Sequence, residues 1–240
     1  MYVNTRGVII KETKVGESDK ILTVFSEDLG KIRISARGAR RQGNRLSGVR
    51  LLCYASFTLF KNSKGYRLNE FELLNSFSPV SADIEALSLA SYFSEIMCAV
   101  TQEKVPDRRL LSLFLNSLYI IGKNTVPSAL VKAVFEMRCA CLMGYAPQLS
   151  ECALCGGAAE GFSGEDGGAV CRSCRPEKPP LGEALAVLRY ICSAPDKRVF
   201  LFKVSDEILA QISPICEDYL LNCVEFIPNS LEMYKKLVTI

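Results

Sequence analysis

A chain of 240 residues is long enough for one large or two small domains with a sizeable core. Apolar residues at 49 % and charged residues at 23 % are ordinary for a globular protein. There is no histidine, which excludes Ser-His-Asp and Cys-His nucleophiles, the commonest general base, and every His-containing metal site. The charge is unevenly spread. Residues 1–80 hold 14 Lys and Arg against 7 Asp and Glu, and residues 81–240 hold 15 against 19. Such asymmetry points to a polyanionic partner for the first part. The most apolar run, "LLSLFLNSLYIIG", is too short for a bilayer and is broken by Asn116. With no signal peptide visible, a soluble intracellular protein is expected.

The first part reads as five strands. "GVIIKET" and "KILTVFS" are rich in β-branched residues, and "KIRISAR" alternates, with Ile32, Ile34 and Ala36 on one face and Lys31, Arg33, Ser35 and Arg37 on the other. "LLCYASFTLFK" suits a central strand, and "YRLNEFELL" follows after the "NSKG" turn. Five short strands in so few residues predict a small closed or nearly closed barrel, with a sandwich as the alternative. The character changes near "SFSPVSAD", where Pro79 ends the strand pattern and Ser81 is placed to cap a helix. The expected division is therefore 1–79 and 80–240.

Helical periodicity follows. One helix carries Ile84, Leu87, Ser91 and the run from Phe93 to Val100. Asp107 is placed to cap the next, which is apolar nearly all round and is expected at the centre of a bundle. A third starts near Ser128 and stops at Gly144. Further helices cover "GEALAVLRYICS" and "SDEILAQIS". Ser213 and Pro214 predict a fresh start for "PICEDYLLNCVEF", and a last short helix covers "SLEMYKKLV".

Between the third and fourth helices lies "CALCGGAAEGFSGEDGGAVCRSC", that is, C-x2-C, fifteen residues, C-x2-C. Each CxxC turn brings two thiolates close enough to share one ion, and two such turns complete a tetrahedron. The segment holds six glycines and almost no large apolar residue, so bound metal has to supply the stability a core would give. Cys152, Cys155, Cys171 and Cys174 are assigned to one zinc ion. Four protein ligands leave no open position, so the ion is expected to be structural. Two disulfides or a redox CxxC are the alternatives. The other seven cysteines read as core, and Asp166 and Glu165 as solubilising loop residues.

Between Leu29 and Asn69 there is no acidic residue, but ten basic ones: Lys31, Arg33, Arg37, Arg40, Arg41, Arg45, Arg50, Lys61, Lys64 and Arg67. An evenly mixed run would be a solvated face; ten cations without one acid fit a phosphate backbone better. Arginine dominates, and its planar fork matches phosphate bidentately. Gly38 and Gly43 permit close backbone approach in the loop. Phe25, Tyr54, Phe57, Phe60 and Tyr66 lie on or beside the same strands, each more often core than stacking platform.

With its order of parts, the opening "RGVIIKETKVGESDKILTVFSEDLGKIRISARGAR" and the entry "GYAPQLSECALCG" into the cysteine motif, the chain resembles the bacterial RecO family of recombination mediators over nearly its whole length. The resemblance implies an α+β, multi-domain protein: an N-terminal OB-fold barrel and then an all-α domain carrying the inserted four-cysteine zinc motif at 150–176. It implies a non-enzymatic, cytoplasmic and nucleoid-associated protein of DNA repair and homologous recombination. Such a protein binds single- and double-stranded DNA, anneals complementary strands, and acts with RecR to load recombinase on DNA coated by single-strand-binding protein. Lys31, Arg33, Arg37, Arg40 and Arg41, with Arg45 and Arg50 behind them, match the region that family uses for DNA. Its helical domain receives the acidic C-terminal tail of single-strand-binding protein, for which Arg138 and Arg189 are candidates. An RNA-binding or transcription-associated module built from the same barrel and zinc ribbon is the second reading. An enzyme fits least, since there is no P-loop pattern and no histidine.

Overall fold

The computed structural model describes residues 1–46, 48–63 and 65–238; Lys64, one of the ten cations above, lies outside them. Five strands form a closed barrel in the order β1-β2-β3-β5-β4: β1 (Tyr2–Val15), β2 (Asp19–Ser26), β3 (Gly30–Ala36), β4 (Tyr54–Asn62) and β5 (Gly65–Asn75). This is the five-stranded arrangement of the OB fold. Closure depends on the length of β1. Its first half pairs with β4, from Tyr2 opposite Phe60 to Val8 opposite Tyr54. Its second half pairs with β2, and a register shift between Ile9 and Lys11 bends the strand between its two partners. The parallel pairing of β3 with β5 completes the ring.

The barrel interior is filled by alternate residues. Leu22 and Val24, Ile32, Ile34 and Ala36, and Ala55, Phe57 and Leu59 all point inward and are buried, so the alternation read in "KIRISAR" has the predicted phase. Strand β4 begins later than expected. Leu52 adopts a left-handed conformation with φ 68, and the chain turns there so that its amide donates to Ile9 O and Cys53 O accepts from Ile9 N. Leu52 and Cys53 thereby plug the core instead of extending the strand.

The helices are α1 (Ser78–Ala82), α2 (Ile84–Val100), α3 (Arg108–Lys123), α4 (Ser128–Leu142), α5 (Glu183–Ser193), α6 (Asp206–Val224) and α7 (Asn229–Val238), with a hairpin of β6 (Gly161–Ser163) and β7 (Gly168–Val170) between α4 and α5. The chain forms two compact units, residues 1–122 with 228–240, and residues 123–227. In the first, α2 packs against β1 and α7 against α2. In the second, α4 packs on α6 and α5.

Three helix expectations change. Ser81 lies inside the short α1, and the cap of α2 is Asp83, whose Oδ1 accepts from Ala86 N at 2.8 Å. Asp107 does cap α3, accepting from the amides of Arg109 and Leu110. Yet α3 is one-sided, with Tyr119 half-exposed, and the centrally buried helix is α4, whose residues from Leu130 to Ala140 are all buried. Charged Lys132, Glu136 and Arg138 had hidden this in the apolar pattern. Finally, Ser213 starts no helix. Residues 206–224 form one helix capped by Ser205, with Pro214 inside it. The proline is tolerated because it and Ala210, whose carbonyl loses its partner, are both exposed, so water replaces the missing bond.

Candidate metal centre and basic face

The first CxxC turn follows α4. Gly156 N donates to Cys152 O and Cys152 N to Gly157 O, both at 2.8 Å. The second turn follows β7, where Cys174 N and Arg175 N both donate to Cys171 O. The β6-β7 hairpin is laid against the stretch before the first turn by Ala169 N to Gln148 O at 2.7 Å and Gln148 N to Gly167 O at 3.0 Å. That approach requires glycine at 168, where a Cβ would stand 2.0 Å from Gln148 O.

The four predicted cysteines come together. Their sulfurs all lie within 4.8 Å of one another, and Cys155 Sγ is 3.7 Å from Cys171 Sγ. A tetrahedron of metal–sulfur bonds of about 2.3 Å has edges of about 3.8 Å, so the spacing fits a shared tetrahedral cation and is too long for a disulfide. The electrostatics ask for the same thing. A hydrogen bond with the Cys171 backbone, among others, holds the Cys152 thiol down to about 6, while hydrogen bonding to Cys155 and Cys171 pushes Cys174 up to about 12. Four thiols this close cannot all ionise without a cation among them.

Asp166 is more than a solubilising residue. It takes a two-pronged contact from Arg175, Nε to Oδ2 at 2.7 Å and Nη2 to Oδ1 at 2.6 Å, which ties the hairpin tip to the second CxxC turn. This pairing holds the Asp166 carboxyl down to about 2 from 3.8. Its contribution is therefore complete at neutral pH and drains away only as pH falls through that window. Arg175 is thus engaged within the insert, whereas Arg172 is exposed.

The basic residues fall into three groups. Lys31 is committed internally: its Nζ donates to Cys98 O at 2.7 Å, at the C-terminal end of α2, where a cation meets the negative end of the helix dipole. Arg33 and Arg45 are exposed and lie 3.6 Å from Glu103 and 3.7 Å from Glu70; exposed pairs of this kind hold an arginine weakly. Arg37, Arg40, Arg41 and Arg50 are exposed on the loop that leaves β3.

That loop is braced by the turn between β1 and β2. Asp19 Oδ1 accepts from Gly38 N at 2.8 Å, which with nearby Arg37 and Arg41 keeps its carboxyl below the usual value. Arg40 N donates to Ser18 O, and Arg40 Nη1 to Gly16 O at 3.0 Å. Gly38, at φ 68, supplies the left-handed bend; its role is this turn. One acid from outside the acid-free stretch therefore shapes the arginine loop, a contact that no local pattern announces.

Of the five flagged aromatics, Phe25 and Phe57 are core. Tyr54 donates its hydroxyl to Glu27. Phe60 and Tyr66 are half-buried. Arg138 is buried, with its guanidinium donating to Cys192 O and Asp196, and Arg189 Nε donates to Leu149 O at 2.6 Å; both guanidinium groups serve the helical unit itself. No helix among the described residues is long and apolar enough to cross a membrane.

Comparison with known proteins covers both halves. The family described as Recombination protein O N terminal matches residues 1–77, and Recombination protein O C terminal matches residues 81–232. A DNA repair protein RecO from Acetivibrio thermocellus is 37 % identical over 245 residues, covering 98 % of this chain and 97 % of that protein. One from Dehalococcoides mccartyi is 30 % identical, covering 87 % and 85 %. One from Alkaliphilus metalliredigens is 29 % identical, covering 99 % and 100 %.

Proposed function

Because this chain belongs to the RecO family of DNA repair proteins, we propose that it is a non-catalytic recombination mediator. In this reading it binds single- and double-stranded DNA, anneals complementary strands, and cooperates with RecR to load recombinase on DNA coated by single-strand-binding protein, whose acidic C-terminal tail it receives. The observation that carries the reading is the family match over both the barrel and the helical part. The barrel domain, residues 1–79, would hold DNA and the helical domain, residues 80–240, would carry the metal insert. The ion held by Cys152, Cys155, Cys171 and Cys174 would be zinc, which prefers a closed four-thiolate set and there serves structure.

Contact with DNA is assigned to Arg33, Arg37, Arg40, Arg41, Arg45 and Arg50, with Lys31 acting through its hold on the strand that carries them. Exposed guanidinium groups on a braced loop meet phosphates without having to be ordered first, so affinity arises mainly from counterion release and carries little sequence preference. Replacing Arg37, Arg40 and Arg41 together with alanine is expected to lower affinity for single-stranded DNA about tenfold or more and to flatten the salt dependence by about 0.7 per lost phosphate contact. Titrations at several salt concentrations measure both, and an unchanged slope removes the loop from the interface. The proposed function itself is tested by mixing complementary oligonucleotides coated with single-strand-binding protein. Addition of this protein accelerates duplex formation; no acceleration sinks the reading.

A further inference from the structure

The outer surface of the barrel carries a row of side chains that the arginine loop does not explain. Strand register places Tyr2 on β1 opposite Phe60 on β4, and Phe60 opposite Arg67 on β5. The side chains follow the register. The Tyr2 and Phe60 rings meet edge to face with centroids 5.4 Å apart, and the Arg67 guanidinium lies over the Phe60 ring at 5.4 Å from its centroid. Tyr2 is 61 % exposed, unlike the aromatics that fill the barrel. A large ring left in water over a second ring, beside an arginine, is an unfinished stack.

The row leads somewhere. Arg67 is opposite Ser35 on β3, and the outward residues on either side of Ser35 are Arg33 and Arg37. Three inter-strand steps of about 4.8 Å carry the row from Tyr2 to Ser35, about 14 Å in all. It thus joins the aromatic pair to the basic face across a continuous barrel wall. Along the strands, the next rungs on this wall are of mixed charge, with Glu70 opposite Thr58 and Glu72 opposite Ser56, which is also opposite Arg6.

We propose that Tyr2, Phe60 and Arg67 form a base-stacking rung for single-stranded DNA. One unpaired base lies on the Tyr2 ring, which Phe60 supports from behind. The Arg67 guanidinium, held over Phe60, meets the adjoining phosphate, and the strand then runs over Ser35 to the arginine loop. The occupant is single-stranded because only an unpaired base offers a free π-face, and because rings beside a cationic track form the usual platform for such strands. The rung deepens the DNA-binding reading and rests on it.

The chain has no tryptophan, so Tyr2→Trp in the full chain places a single reporter in the rung. Two ligands of equal length and phosphate number are compared, an ordinary single strand and one of abasic sites. The expected result is that the ordinary strand quenches Trp emission and the abasic strand does not. Tyr2→Leu, which keeps apolar cover over Phe60, weakens binding of the ordinary strand about tenfold with no change in salt slope. Arg67→Ala lowers the slope by about 0.7, one phosphate. If both strands bind with equal affinity and neither quenches, the rung is refuted while the arginine face stands. If neither strand binds the wild-type protein, the DNA-binding reading itself fails, and the rung with it.

Discussion

Cys152→Ser is expected to abolish metal binding and to unfold the insert while leaving the proposed DNA binding by the barrel intact. The segment from Cys152 to Cys174 buries Val170, Ala169 and Cys152 and packs a part-buried Phe162 on Tyr219, too little to offset the conformational entropy of ordering more than twenty residues. Structural zinc contributes on the order of 10 kcal/mol to small peptides that fold around it, and nothing else in the insert approaches that. The backbone bonds that seat the hairpin on Gln148, and the Asp166–Arg175 contact, depend on the two CxxC turns being held together. The barrel has a separate core of inward residues and does not require the ion. Metal analysis should return one zinc per wild-type chain and none for the variant. Limited proteolysis should cut the variant within 153–175. Wild-type protein without metal, or a variant that keeps it, refutes the four-thiolate site. A variant that loses metal and DNA affinity together shows that the insert takes part in binding.

The second large effect is expected at Lys132, at the centre of the helical unit. Its Nζ lies 2.7 Å from Glu136 Oε1 on the same helix and 2.7 Å from Glu217 Oε2 on α6, and all three side chains are nearly inaccessible. Burial alone would push this ammonium down; the two carboxylates outweigh burial and hold its pKa above the ordinary value. By linkage that contribution is complete below about 10.5 and is lost only as pH rises past the elevated value, so Lys132 is fully charged under any neutral condition. Removing one partner of a buried ion pair leaves uncompensated charge and costs about 3–5 kcal/mol. Lys132→Met removes the cation that Glu136 and Glu217 share. Urea denaturation should show that loss at neutral pH. The deficit should shrink as pH falls, because the stranded carboxylates then take up protons. Replacing all three with apolar residues of similar size should restore most of the stability. A single-variant cost below about 1 kcal/mol, the range of exposed pairs, would show the cluster to be solvated.

The features legible in the chain were those that depend on near neighbours. The alternation of "KIRISAR", the cap at Asp107, the stop before Gly144 and the doubled CxxC spacing each express a period or an offset that a few residues enforce on their own. The metal site was the clearest, because two short turns predispose their thiolates to meet whatever the surroundings. Misreadings came where a distant partner outweighed the local preference. Ser213–Pro214 has the chemistry of a helix start, but burial of Ile212, Cys216 and Leu220 carries one helix through it. The apolar pattern put the central helix at α3, yet α4 is the buried one, with Lys132, Glu136 and Arg138 matched by Glu217, Asp196 and two carbonyls. Tyr2 passed unnoticed, since a single aromatic near the start of a chain has no pattern to belong to.

The arginine-rich stretch after Leu29 shows where the division falls. Its charge, its arginine bias and the phase of its strand are properties of consecutive residues, and they suffice to propose a polyanion as the partner. Which of these cations stay exposed is decided by residues far away in the chain. Cys98 O takes Lys31 inward, Asp19 and Gly16 shape the loop around Arg40, and closure of β3 onto β5 brings Arg67 and the Tyr2–Phe60 pair to the same wall. Strand alternation fixes which side a residue faces, since successive side chains must point to opposite faces. It does not fix which strand lies alongside, because that follows from closing the barrel around one shared core.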